Sequence, residues 1–221
     1  MPKLPANFSV KKAHQTQLHL SKLVIREDRL PREIRLVAGV DVSYVGEVGV
    51  GAITVLDYGS LEVLETSVAV CKVNMPYVPT LLSFREIPPA VAAIKRLKLQ
   101  PDIFLVDAQG WAHPYRCGFA SHLGLALKKP TIGAAKSRLI GEPTEIGGRT
   151  FLLDGGEVIG EVVTIKQGSK PVYVSIGHMV TLETAVEVVR HCCSKSRIPQ
   201  PLMEAHKLAT KTRLGLAGKA K

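Results

Sequence analysis

Acidic residues are scarce in this chain. Its 221 residues include 19 Asp and Glu against 29 Lys and Arg, a formal net charge of +10. That imbalance favours a polyanionic partner, nucleic acid or an anionic membrane. Long apolar runs are missing too. None approaches the length needed to span a bilayer, and the N-terminus has no signal-like apolar core. The membrane reading therefore falls away, and a cytoplasmic protein is expected. Cysteines are few: Cys71, Cys117, Cys192 and Cys193. No two have the C-x-x-C spacing of a metal site. Adjacent Cys192 and Cys193 fall in an expected helix, where a mutual disulfide would be strained. All four read as reduced packing groups, which argues against a structural zinc and a cysteine nucleophile. Internal repeats and low-complexity segments are absent.

What is present is a packed globular composition, 46% apolar. One domain over 1–221 is expected, with 1–34 as an N-terminal helix and linker and 215–221 as a flexible basic tail. The N-terminal helix is expected over 10–26, ahead of a charged linker containing Pro31. Strands are expected over 36–44, 48–56 and 61–73, punctuated by Gly46 and by Asp57-Tyr58-Gly59-Ser60, which suits an antiparallel meander. A short helix over 81–86 should stop at Pro88-Pro89, and a second should run over 90–97. Strands at 103–107 and 131–135 flank a helix over 119–127. Further strands are expected near 151–153, 157–164 and 172–176, and helices over 182–193 and 202–214. A meander followed by alternating helices and strands is an α/β pattern: a mixed central sheet flanked by helices. The ribonuclease H-like fold has this order.

Two acids interrupt apolar strands. Asp41 sits inside Leu36-Val37-Ala38-Gly39-Val40-Asp41-Val42-Ser43-Tyr44, and Asp107 ends Ile103-Phe104-Leu105-Val106-Asp107. An unpartnered carboxylate in such a place is costly. On the expected fold they fall on the first and fourth strands, which are neighbours in the sheet. On a basic chain, the partner that fits is a divalent metal facing a nucleic-acid phosphate. Glu86 closes Leu81-Leu82-Ser83-Phe84-Arg85-Glu86 and completes an oxygen-ligand set suited to Mg²⁺. Alone, Glu86 reads as a salt-bridged or capping acid; the three acids together are a stronger signal than any one.

Other residues have two readings each. Lys136, at the end of Gly133-Ala134-Ala135-Lys136, could neutralise charge on a phosphate in a transition state, or be a solvated lysine. His113, six residues beyond Asp107, could bind phosphate, hold a metal-bound water, move a proton, or simply be an exposed loop histidine. Tyr77 lies between Pro76 and Pro79, which stiffen its loop. It is either an aromatic held out to enter a base stack or a tyrosine packed on the core. His206 is one helix histidine among others. The basic residues Lys207, Lys211, Arg213, Lys219 and Lys221 add unspecific phosphate attraction or merely solubilise the terminus.

Taken together, these motifs resemble the endonuclease V family. The matching segments are Gly39-Val40-Asp41-Val42-Ser43-Tyr44, Pro76-Tyr77-Val78-Pro79 with Leu81-Leu82-Ser83-Phe84-Arg85-Glu86, and Asp107 through His113-Pro114. They continue in Ala120-Ser121-His122-Leu123-Gly124, Gly133-Ala134-Ala135-Lys136-Ser137-Arg138-Leu139 and Pro201-Leu202-Met203-Glu204-Ala205-His206. The pairing of Pro-Tyr-x-Pro with Phe-Arg-Glu is the specific part. The resemblance implies a ribonuclease H-like fold and Mg²⁺-dependent cleavage, with Mn²⁺ able to substitute. The substrate would be deoxyinosine in DNA, nicked on the 3′ side one nucleotide beyond the lesion, with 3′-hydroxyl and 5′-phosphate ends. It implies a monomer that holds metal with Asp41, Glu86 and Asp107, with Lys136 and His113 assisting at the phosphate and His206 near the metal. Tyr77 would be a wedge, and Leu82, Gly110, Gly118 and Leu139 would line the pocket of a flipped base.

The chain departs from the family pattern in Ala108-Gln109-Gly110-Trp111, in Tyr115, and in Ile87-Pro88 after Glu86. Trp111 could narrow the pocket or stack on a neighbouring base. An inosine-specific endoribonuclease is the nearest alternative, to be separated by recognition of the 2′-hydroxyl. A non-catalytic inosine-binding module has no use for the metal-ligand set, and a generic structure-selective nuclease has none for the Pro-Tyr-x-Pro segment.

Overall fold

The structure is a computed structural model and describes residues 8–194 and 196–219. Helix α1 (Val10–Ser21) begins at Ser9, whose hydroxyl accepts the Lys12 N–H as an N-cap. It ends five residues before the expected boundary. Strands β1 (Leu36–Val45), β2 (Val48–Asp57) and β3 (Val63–Lys72) form the meander, with Gly46 at φ +57° in the first turn. Helix α2 (Leu82–Ile94) follows, then β4 (Ile103–Val106), α3 (Phe119–Leu127) and β5 (Thr131–Ala135). The chain continues through β6 (Glu142–Ile146), β7 (Arg149–Asp154), β8 (Glu157–Val163) and β9 (Val172–His178). Helices α4 (Leu182–Cys192) and α5 (Gln200–Lys219) close the described part.

Among the described residues, nine strands join one sheet, in the order β3-β2-β1-β4-β5-β9-β8-β7-β6. Parallel pairing joins β1 to β4 and β4 to β5; the remaining pairs are antiparallel. The mixed sheet has helices on both faces. Val37, Ile103, Leu105 and Ile132 point to one side and pack with α4 and Leu202 of α5. Ala38, Val40, Phe104 and Val106 point to the other and pack with Ala90 of α2 and Phe119 and Leu123 of α3. This double covering explains why β4 and β5 are continuous apolar runs rather than alternating ones.

Three expectations about elements change. Helix α2 runs unbroken through Pro88 and Pro89 instead of stopping before them. Each proline removes a backbone donor, but this helix is held by packing. A Cβ at Gly51 of β2 would collide with the Pro89 carbonyl, so helix and strand touch backbone to backbone. Strand β6 was not expected. Glu-Pro-Thr-Glu-Ile is exposed throughout, and an edge strand with no buried face leaves no alternation to read. Helix α5 continues to Lys219, past the expected end at Leu214, so the proposed flexible tail is helical as far as it is described; 220–221, including Lys221, lie outside the described residues.

Candidate active site

The two strand aspartates meet because of register. Val40 of β1 pairs with Val106 of the parallel β4, and the Asp107 N–H donates to the Val40 carbonyl at 3.2 Å. Asp41 and Asp107 are the next residues on each chain, so their side chains leave the same face of the sheet. On that face lies α5. It can approach closely because position 39 is glycine: a Cβ there would overlap the Pro201 carbonyl. Thr54 and Ser43 donate hydroxyl hydrogen bonds to the Pro201 and Ala209 carbonyls, at 2.8 and 3.0 Å. Thus clamped, α5 places the His206 Nδ1 2.9 Å from Asp41 Oδ2. Asp41, Asp107 and His206 each offer a ligand atom, all within 4.8 Å of one another.

Glu86, expected as the third ligand, is not among the atoms gathered within 4.8 Å; it stands near them on α2, only 8% exposed. Burial, then the Asp41 and Asp107 charges, push its carboxyl well above the usual range. Asp41 is raised as well, first by burial and then by Asp107, with His206 and Lys136 opposing. Lys136 follows β5 and forms an ion pair with Asp107. Three acids therefore share one partly desolvated spot with one lysine and one histidine. An oxygen-rich donor set carrying excess negative charge fits a hard divalent cation.

Beside the cluster opens a cavity of about 350 Å³. Asp107 and Lys136 belong to its wall, as do Tyr77, Leu82, Gly118 and Leu139. Tyr77 is 65% exposed and Leu139 46%, so both stand at the rim. Gly118 precedes α3, and a Cβ there would strike the Gln109 carbonyl.

Gly110 does not line the cavity. Its N–H donates to Ser175 Oγ at 2.9 Å, and a Cβ would collide with the Ile176 carbonyl of β9, so it is a packing glycine behind the site. Trp111 also stands elsewhere. Its Nε1–H donates to Glu157 at 2.8 Å and the Arg26 guanidinium lies over its ring, so it neither narrows the cavity nor faces a base there.

His113 does line the cavity, but both ring nitrogens are engaged. Nε2 lies 3.0 Å from the Thr80 carbonyl, which can only accept, so Nε2 carries the proton. Nδ1 then accepts the Tyr115 N–H at 3.2 Å. Burial holds this imidazole down at about 4, hence neutral. It offers no free nitrogen in this arrangement.

Sequence reasoning missed several wall residues: Thr80, Ser83, Ala108, Gln109, Ser137 and Arg138. Among the described residues, Ser83 Oγ and Gln109 Oε1 have no hydrogen-bond partner; the Gln109 amide nitrogen donates to the Ser137 carbonyl at 2.9 Å. The signal available was positional. Residues 108–109 and 136–138 follow the ends of neighbouring parallel strands, where open α/β sheets bind ligands.

The family model of Endonuclease V matches residues 18–207. The chain belongs to the endonuclease V family. An Endonuclease V from Thermofilum pendens is 47% identical over 210 residues, spanning 94% of this chain and 90% of that protein. One from Rippkaea orientalis is 44% identical over 218 residues, spanning 94% and 95%. Among solved structures, the Streptomyces avermitilis Endonuclease V superposes with a TM-score of 0.86 at 36% identity, covering 98% of this chain and 99% of that one. The Ciona intestinalis enzyme, bound to a 24-mer DNA containing an inosine followed by a ribo-adenosine, gives 0.83 at 30% identity, covering 94% and 98%. Endonuclease V structures have the ribonuclease H-like fold, and the sheet order here is that fold. Membership makes the chain a metal-dependent nuclease, a hydrolase.

Proposed function

We propose that this chain is a DNA repair endonuclease for deoxyinosine. It takes hypoxanthine, the base of deaminated adenine, into the cavity. It then nicks the same strand on the 3′ side, one nucleotide beyond the lesion. The observation that carries this reading is the shared wall: Asp107 and Lys136 belong both to the cavity and to the acidic cluster. A base held in the cavity keeps its own strand's backbone beside the acids. The unpartnered Ser83 and Gln109 atoms suit a base with polar edges, and the inosine-bearing DNA on the Ciona relative supports the base class.

Mg²⁺ is the proposed metal, with Mn²⁺ able to replace it, held by Asp41, Asp107 and Glu86 with His206 alongside. When bound it would polarise the phosphate and lower the pKa of a coordinated water. The remaining steps fall to the chain's own groups. The Lys136 ammonium balances charge developing on the phosphate oxygens. His206 gives its Nδ1–H to Asp41, which leaves Nε2 to accept the attacking water's proton. The bond from water oxygen to phosphorus forms as the bond from phosphorus to the 3′ oxygen breaks, and the departing 3′ oxygen takes a proton from solvent, giving 3′-hydroxyl and 5′-phosphate ends. His113 assists indirectly, by holding the Thr80 backbone. Tyr77 enters the gap left by the extruded base; Leu82, Gly118 and Leu139 border that base. We further assign the whole chain to one domain acting as a monomer in the cytoplasm. Among the described residues, no helix is long and apolar enough to cross a membrane.

The second reading, cleavage at inosine in RNA, draws on the ribo-adenosine that follows inosine in the Ciona complexes. Matched DNA and RNA strands, each with one inosine, decide between the two when incubated with Mg²⁺ or with EDTA. DNA nicking that is lost in EDTA is expected. Cutting of RNA alone would overturn the DNA assignment, and no cutting of either would overturn the substrate.

A further inference from the structure

Thr80 is the one residue of the Pro76–Thr80 segment in the left-handed region, at φ +69°. For a β-branched residue that is a true outlier, and it persists only where its surroundings over-determine it. They do so here. The Thr80 carbonyl accepts the amide of Gln17 at 2.8 Å and the imidazole N–H of His113 at 3.0 Å. Its hydroxyl lies 2.9 Å from His14 Nε2 and donates to the Pro79 carbonyl. Because that hydroxyl proton is spent, His14 Nε2 is the donor, and Nδ1 accepts the Tyr115 hydroxyl at 3.0 Å. The Tyr115 ring stacks on His14 at 4.1 Å. Gln17, fully buried, gives its second amide hydrogen to the Cys117 carbonyl at 3.1 Å.

Two separate segments, α1 and 113–115, thus converge on one strained residue, three positions from Tyr77. His14 and Gln17 both precede the stretch matched by the family model. The Leu81 N–H donates to the Val78 carbonyl at 3.0 Å and closes the turn that holds Thr80, directly after Tyr77.

We propose that His14, Gln17 and Tyr115 latch the loop that carries Tyr77, and that this latch sets how well the protein acts on inosine in a fully paired duplex relative to a single strand. They are positioning residues; none belongs to the acidic cluster. The inference rests on the proposed insertion of Tyr77. A loose loop lets Tyr77 swing away, so extrusion of a paired base loses its support. A single strand needs less unstacking and should notice little.

The test pairs two readouts on the full chain. Hydrogen exchange of the 74–81 amides reports the latch whether or not Tyr77 inserts. Single-turnover nicking of paired and single-stranded inosine DNA reports the consequence. His14→Ala should speed exchange across 74–81. It should slow duplex nicking about tenfold, equivalent to about 1.4 kcal/mol of barrier, and change single-strand nicking by less than about twofold. Tyr115→Phe, which removes one oxygen and keeps the stack, should move both readouts the same way by less. Added to Tyr77→Ala, His14→Ala should cost nothing further, whereas general destabilisation would add. Unchanged exchange in both variants overturns the latch itself. Faster exchange with equal losses on both substrates overturns its role in substrate choice. If Tyr77→Ala also lacks a duplex-selective defect, the insertion reading fails as well, and the exchange data show that this failure is separate from the latch.

Discussion

Mg²⁺ added to metal-free protein should raise its thermal midpoint, and Glu86→Gln should raise the metal-free midpoint while shrinking the shift that Mg²⁺ adds. Asp41, Asp107 and His206 are brought within ligand distance by the β1–β4 register and by α5, and the Glu86 carboxyl on α2 feels the charges of both aspartates, so the site exists only in the folded chain. A ligand that binds only the native state at about 100 times its dissociation constant contributes about 2.7 kcal/mol. For a domain of this size, at about 2–4 °C per kcal/mol, that is a rise of about 5–11 °C.

Glu86 adds a sign. Its folded pKa is raised, so the native state holds this proton to higher pH than the unfolded state does. Stability therefore falls as pH rises from the ordinary carboxylate range through the raised value, and at neutral pH the buried charge is a cost. Glu86→Gln removes that cost, so the midpoint in EDTA should rise. It also removes a ligand, so the shift on adding Mg²⁺ should shrink. At mildly acidic pH, where Glu86 is protonated, the variant's advantage in EDTA should fade. Scanning calorimetry in EDTA and in Mg²⁺, at both pH values, reads every arm. A Glu86→Gln protein that is less stable in EDTA and keeps the full metal shift would refute this account of the site.

Asp41→Ala or Asp107→Ala should nearly abolish nicking while substrate binding persists, as shown by a gel-shift assay run beside the cleavage assay; full nicking by either variant removes that residue from the mechanism. Lys136→Ala should slow the single-turnover rate more than it weakens binding, because its charge acts on the transition state. An affinity loss at unchanged rate would make Lys136 a phosphate anchor. Tyr77→Ala should harm paired inosine substrates most, and equal defects on single strands would end the insertion reading. Gly39→Ala should destabilise by about 1–3 kcal/mol, because α5 must back away from the new methyl. Since α5 carries His206, this variant should also lose activity beyond its loss of stability, measured by calorimetry and nicking together.

Residue by residue, the sequence by itself determined the parts whose physics is local. Apolar runs and turn residues marked β1, β2, β4 and β5, and an acid stranded in each of two such runs marked Asp41 and Asp107 as a site. The spacing of Pro76, Tyr77 and Pro79 marked a stiff aromatic loop. Tertiary structure decided what pairing and packing control. The β1–β4 register brings the two acids together, and no local pattern encodes which strands pair. Helix α2 passes through Pro88 and Pro89 because contact with Gly51 outweighs a local rule about proline. Gly110 and Gly118 look alike in sequence, yet one backs onto β9 and the other borders the cavity. From the sequence, His113 is either a group acting at the phosphate or an exposed loop histidine. Only the fold reveals that both its nitrogens are tied to backbone, because Thr80 and Tyr115 reach it from 33 and 2 residues away.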